Sequence, residues 1–337
     1  MKRVRTLFRN VSALVLCLWA GGVLVSCGSL QQYSYDELKP AKVSFPTEIR
    51  TVAVVNNAVP ATAVQWGRVT AGTLQGDARL TTESLAEVLA DTKYFQQVVI
   101  CDSAFRADAD PSVRLLEPVA VDRLAADLQV DMLLSVDQVE VANERKSYLV
   151  PGIPVPVEAL QTKVTPVLHV YLPGRDTPLY RVVQTDSLDW ELNPALSDPE
   201  IIEEAAHASA LLLSRVLVPY WEPATRLYFD GGGVEMRDGA VYAREGDWAR
   251  AKELWTAAYQ GTRSKGKQAK AAFNIALACE MTGAVEEADE WLGKAIRLAE
   301  KGSVLAQACA VYAAQLQARR VDLPLLNAQM SRFGDNF

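Results

Sequence analysis

"GGVEMRDGAVYAREGDWARAKELWTAAYQ" (residues 232–260) and "AKAAFNIALACEMTGAVEEADEWLGKAIR" (residues 269–297) decide the fold, because at an offset of 37 residues they repeat the same residue types. Gly239 falls on Ala276, Gly246 on Gly283, Ala251 on Ala288, Trp255 on Leu292 and Ala258 on Ala295. Small residues at helical spacing let two helices approach closely, a large apolar residue fills the gap, and the glycine supplies the turn. Each stretch is therefore expected to form two antiparallel helices, stacked on the next as a short solenoid. The extra residues of the offset fit the linker "GTRSKGKQ". A third helix, "SVLAQACAVYAAQLQARR", begins 34 residues after Ala269 and lacks a full partner, so it reads as the cap of the array.

This pattern resembles the tetratricopeptide repeat. The resemblance implies a concave groove, lined by the first helix of each unit, that grips peptides. Carried over residue by residue, Met236, Arg237 and Arg244 from the first unit and Lys270, Phe273, Asn274 and Glu280 from the second face that groove. Asn274 matches the asparagine that holds ligand backbone in peptide-binding members. The family's clamp for terminal carboxylates also needs a lysine and an asparagine where this chain has Met236 and Ala240, which argues against that ligand. The structural alternative is a solvated face or an interdomain contact. Two and a half repeats fall short of the usual minimum of about three, so the upstream domain is expected to pack on the first repeat. Trp221, Tyr228 and Phe229 are the candidates for that junction.

Upstream, the pattern changes to alternating strands and helices. "RTVAVVNN" (50–57) reads as a buried strand, and "LTTESLAEVLADTKYF" (80–95) as a helix burying Leu85, Val88, Leu89 and Phe95. "QVVIC" (97–101) is a second strand, Pro118 opens a second helix, and "DMLLSVDQVEV" (131–141) is a third strand. That order predicts a small sheet whose first strands are parallel, with helices covering it. "TKVTPVLHVYL" and "PLYRVVQTDSLDW" extend the sheet, and a helix from about Asp198 to Val218 closes the domain. Between them "LVPGIPVPVEAL" (149–160) holds three prolines, which exclude a central strand, and reads as an extended surface loop.

The amino terminus reads as an export signal. "MKRVRTLFRN" has no acidic residue and precedes an uncharged run of 15 residues, too short for an ordinary membrane span. Leu24-Val25-Ser26-Cys27 then resembles the lipobox of bacterial lipoproteins. The resemblance implies cleavage before Cys27 and acylation of it, and several acyl chains anchor stably at about 0.8 kcal/mol per buried methylene. The alternative is an ordinary signal or a single-pass helix ending at Cys27. The polar stretch that follows reads as a tether. The expected organisation is a signal (1–26), a lipidated tether (27–47), an α/β domain (48–228) and an all-α repeat domain (229–337), an α+β two-domain chain.

Removing the four basic residues of the signal leaves 30 against 41 acidic ones, so the net charge moves from -7 to -11. An acidic body disfavours nucleic acid, whose binding needs a basic face. Of the remaining cysteines, Cys101, Cys279 and Cys309 show no Cys-x-x-Cys spacing; Cys279 and Cys309 read as buried small residues, with a disulfide between them left open. No catalytic, cofactor or metal motif is complete. His169 and His207 lack a second partner motif, and Glu204-Ala-Ala-His207 has di-iron spacing once where two copies are needed. Gly231–Gly233 precede a helix without the Gly-Lys-Ser/Thr of a phosphate loop, and Arg263, Lys265, Lys267 and Lys270 form one basic cluster on a solvated loop.

Together, the lipobox, the "LAADLQVDMLLSVDQVE" domain and the terminal "GDWARAKELW" repeats resemble a group of outer-membrane lipoproteins of Bacteroidota. The resemblance implies an outer-membrane address but no chemistry; "GSLQQ" lacks the acids that follow the cysteine in surface-exposed members, which favours the periplasmic face. The expectation is a non-enzymatic, membrane-anchored scaffold for a cell-envelope protein or peptide, without cofactor or nucleic acid. The alternative is a subunit of an oligomeric outer-membrane secretion or envelope-assembly complex.

Overall fold

A computed structural model of the chain describes residues 30–63, 69–106, 110, 112–149, 156–192 and 196–334. Cys27 and the expected signal lie outside the described residues. The first described element, β1 (Leu30–Lys39), is a strand where a tether was expected. Its burial alternates along "LQQYSYDELK", with Tyr33, Tyr35 and Glu37 turned inward. The residues after it are ordered too: Ala41 and Phe45 are buried, and the Gln329 amide donates to the carbonyls of Ala41 and Val43. The tether reading of residues 30–47 is therefore corrected.

Two compact units form, one from residues 40–220 and 329–334, the other from residues 30–39 and 221–328. In the first, β2 (Thr51–Asn56), β3 (Gly72–Gln75), α1 (Ala78–Thr92), β4 (Gln97–Cys101), α2 (Pro118–Leu128) and β5 (Met132–Tyr148) follow one another. Then come β6 (Val157–Tyr171), β7 (Tyr180–Val183), β8 (Asp186–Glu191) and α3 (Asp198–Leu217). β2 pairs in parallel with β4 and with β5, as the alternation of strands and helices predicts. β5–β6, β6–β7, β6–β8 and β3–β5 are antiparallel.

Local chemistry sets the helix ends. Asp77 caps α1 by accepting from the Leu80 N–H, Pro118 opens α2, and Lys93 and Gln129 stop the two helices in the left-handed conformation. Val52, Val54, Leu134, Val136, Leu168 and Val170 bury one face of the sheet with Leu85 and Leu89 of α1 and Ile201 and Leu213 of α3. Ala53, Val55, Leu133 and Tyr171 form a smaller core on the other face with Val121 and Ala125 of α2.

The stretch expected as a loop departs from expectation. β5 and β6 form one long hairpin, paired from Leu133↔Tyr171 out to Tyr148↔Val157. The prolines do keep the strand away from residues 149–156, but Pro156 gives way at once to strand at Val157. Pro166 is tolerated inside β6 because it pairs Val139 just beyond an irregularity in the ladder at Val136/Gln138.

The second unit holds β1, β9 (Tyr220–Phe229), α4 (Val234–Arg244), α5 (Trp248–Gln260), α6 (Lys265–Met281), α7 (Val285–Leu298) and α8 (Val304–Met330). The expected boundary at 228 moves: β9, anticipated as connecting chain, pairs with β1 in a two-stranded sheet. The paired helices follow the sequence repeat. Gly246 and Gly283 take φ of +81° and +82° between α4 and α5 and between α6 and α7, a backbone that disfavours a side chain. At Gly239 a Cβ would come within 2.5 Å of the Trp255 Nε1, so the glycine is what allows α4 and α5 to close on one another. Cys279 and Cys309 are both buried and free, which closes the disulfide question; burial pushes each thiol up to about 11.

Candidate functional site

The inner face of the repeat unit is built on α6, whose residues from Ala271 to Glu280 are all buried. A helix buried on every side has neighbours all round, and one of them is strand β9. The Asn274 amide holds it: Nδ2 donates to the Phe229 carbonyl at 2.6 Å, and the Phe229 N–H donates to Oδ1 at 2.8 Å. The Phe229 ring meets Phe273 edge-on at 5.5 Å, and Phe273 in turn meets Tyr312 of α8 at 5.3 Å. Lys270 Nζ lies 5.3 Å from the centre of the Phe229 ring. On the same edge of β9, Gln315 of α8 donates to the Thr225 carbonyl.

One helical turn and a half beyond Asn274, Glu280 anchors a buried ionic cluster. Arg226 of β9 grips it with both arms, Nη2 donating to Oε1 at 2.8 Å and Nε to Oε2 at 3.1 Å. Arg319 of α8 donates to Oε1 at 3.0 Å. Glu37 of β1 stands 3.6 Å from Arg226, and the Tyr35 ring lies under the Arg226 guanidinium. Two carboxylates thus face two guanidiniums. Burial pushes the Glu280 carboxyl up, but the hydrogen bond and charge of Arg226 and the charge of Arg319 outweigh it and hold the group below the ordinary carboxylate range. Burial, with the Glu280 charge, pushes the Tyr35 phenol well up, so it stays neutral.

The expected groove residues therefore divide. Met236, Phe273, Asn274 and Glu280 are brought together but are buried, because the chain's own strand pair occupies the face they line. This corrects the reading of an open groove at those four positions. Arg237 and Arg244 are exposed on α4, and Lys270 is half-buried. Of the expected junction residues, Tyr228 and Phe229 are buried in this unit's own core, whereas Trp221 is 64% exposed. The alternation of Tyr33, Tyr35 and Glu37, and of Arg226 with Tyr228, is the period-two signal that identifies the two strands.

In the sheet unit, sequence reasoning missed a partner for His169. Its Nδ1 is 2.8 Å from Asp137 Oδ2, while Asp137 Oδ1 accepts from Asn57 Nδ2 at 2.7 Å and from the Ser135 hydroxyl at 2.9 Å. All four residues are buried, next to the ladder irregularity of β5 and at the carboxyl end of β2. Tyr171 beside them accepts from the Leu116 N–H, and burial pushes its phenol up to about 12. Residues thirty or more apart in sequence supply this cluster, so no local motif announces it. His207 is bonded instead to Ser84, and among the described residues no group of three or more metal-binding side chains occurs.

Residues 49–229 match the model of a family described as a domain of unknown function (DUF8603), and residues 237–318 match a second, also described as a domain of unknown function (DUF6340). No curated protein matches the chain. Among solved structures, the chain is similar to the hypothetical protein CT253 from Chlamydia trachomatis, at 11% identity over 41% of this chain and 72% of that one, with a TM-score of 0.22.

Proposed function

Since the chain belongs to the DUF8603 family, a family of unknown function, we propose from its residues that it is a membrane-tethered, non-enzymatic scaffold of the cell envelope. In this reading Cys27 carries the lipid anchor, the outer membrane is its address with the periplasm its side, and the helical unit, a short tetratricopeptide-like array, is the protein-recognition part. The observation that carries it is the Asn274–Phe229 pair: the inner face of the helices binds extended backbone through a side-chain amide, with strand β9 as the resident occupant. Partner contact then falls to the exposed α4 side of the array, where Arg237 and Arg244 stand.

The test is made in cells. A photo-crosslinking residue at position 237 or 244 is expected to capture one defined envelope protein, and Cys27→Ser is expected to release the chain from the membrane fraction. Capture of nothing at either position sinks the scaffold reading, and membrane retention of Cys27→Ser with no acyl label on the wild type sinks the anchor.

A second reading, a subunit of an oligomeric secretion or assembly complex, is favoured by the length of the β5–β6 hairpin. A detergent-stable ring of defined stoichiometry is its signature, and a monomer in mild detergent removes it.

A further inference from the structure

We propose that the tip of the β5–β6 hairpin is a second membrane contact, dipping into the interfacial layer of a lipid bilayer. β3 accompanies β5 only as far as Asn143, and β8 accompanies β6 only as far as Ala159. The hairpin therefore runs five residues past β3, about 17 Å at strand rise, and its last two pairs, Ser147↔Glu158 and Tyr148↔Val157, have no third strand beside them. At this end an apolar surface is presented to solvent rather than hidden: Leu149 is 82% exposed, Tyr148 40% and Val157 37%.

The chemistry of the tip points to lipid rather than to a protein groove. From Tyr148 to Val157 the sequence carries no charged residue, and charges resume on both sides, with Arg145 and Lys146 before it and Glu158 after. An apolar end, a tyrosine at its edge and charges at its base match the layers of a bilayer surface in order. Pro151, Pro154 and Pro156 add a specific argument. Backbone N–H groups without partners are what bar open loops from apolar surroundings, and proline has none to satisfy. A peptide-binding groove, by contrast, rewards the backbone donors that these three positions lack. The proposal shares the membrane address of the preceding section but needs neither the lipid anchor nor the scaffold role.

The test uses the full chain with Cys17, Cys27 and Cys101 replaced by serine, so that no acyl chain is attached and no accessible native thiol remains. An environment-sensitive fluorophore is placed on Leu149→Cys, or as a control on Val119→Cys, which is 79% exposed on the same unit. With phosphatidylethanolamine–phosphatidylglycerol vesicles, the probe at 149 is expected to shift to the blue and to be quenched by lipid-borne nitroxides, while the probe at 119 stays in water. In the unlabelled chain, Leu149→Asp is expected to weaken vesicle partition on the order of tenfold. Equal quenching at both positions, or none at either, overturns the proposal, as does shielding of the 149 probe only when an envelope protein is supplied. Failure here leaves crosslinking at 237 and 244 untouched, so the two readings fail separately.

Discussion

The side-chain amide of Asn274 makes both hydrogen bonds that the backbone of Phe229 has to offer, at 2.6 and 2.8 Å, with neither residue open to water. Truncating it to alanine strands a buried N–H and a buried carbonyl, each costing about 1–3 kcal/mol. Asn274→Ala should therefore destabilise the helical unit by roughly 2–4 kcal/mol. Asn274→Asp should do no better, since it keeps the acceptor but turns a lone pair on the Phe229 carbonyl. Urea unfolding measures the loss, and amide exchange at Phe229 should speed up in both variants; unchanged protection there would show that β9 is held by something else.

That pair also shows where the sequence was readable and where it was not. Gly239, Gly246 and Gly283 announce the helix pairs because small residues and positive φ are local demands. The parallel strands β2, β4 and β5 are equally legible, since Val52–Val55 and Met132–Leu134 are apolar runs between helical stripes. Strand β1 was missed because its inward residues, Tyr33, Tyr35 and Glu37, are polar, and a polar period-two pattern looks like a linker until its charged partners are known. Those partners, Arg226, Glu280 and Arg319, lie far along the chain. For the same reason Asn274 was assigned the right task with the wrong substrate: spacing identifies a backbone-holding asparagine but not whose backbone it holds. The hairpin was shortened because prolines that end a strand were read as removing it.

Glu280 faces two guanidiniums, and its loss leaves Arg226 buried with only Glu37 near it. Glu280→Ala is expected to cost about 3–5 kcal/mol, the range for breaking a buried pair from one side. The pH dependence follows from the lowered carboxyl. A group whose folded value is depressed stabilises fully above its unfolded value and loses that contribution as pH falls through the folded one. Stability should hold down to the ordinary glutamate range, about pH 4.3, and fall below it. Glu280→Gln should flatten that acid limb in denaturant midpoints measured against pH, and an unchanged limb would assign the acid sensitivity elsewhere.

Gly239 makes a sharper packing prediction. In an exposed helix, glycine to alanine stabilises by about 1 kcal/mol, but here the new methyl would meet the Trp255 indole, whose Nε1 is tied to the Met236 carbonyl. The sign should reverse, with Gly239→Ala destabilising by roughly 1–3 kcal/mol. Trp255→Leu opens a cavity of its own, yet the double variant should be less unstable than the sum of the two single changes. Strict additivity in a double-mutant cycle would mean that the two residues do not share the space.

Asp137 accepts from three side chains at once, Asn57, Ser135 and His169, and all of them are buried. A carboxylate in that position requires a proton on His169 Nδ1, since an unprotonated nitrogen would face it lone pair to lone pair. Nitrogen-15 shifts of the imidazole should therefore report a protonated Nδ1. Asp137→Ala strands three donors, with an expected loss of about 3 kcal/mol or more from the sheet unit, whereas His169→Phe removes one donor and keeps the others paired, and should cost less. The order of the two costs is the test. If His169→Phe is the more damaging, the ring's packing against Tyr171, 6.2 Å between centroids, outweighs its bond to Asp137.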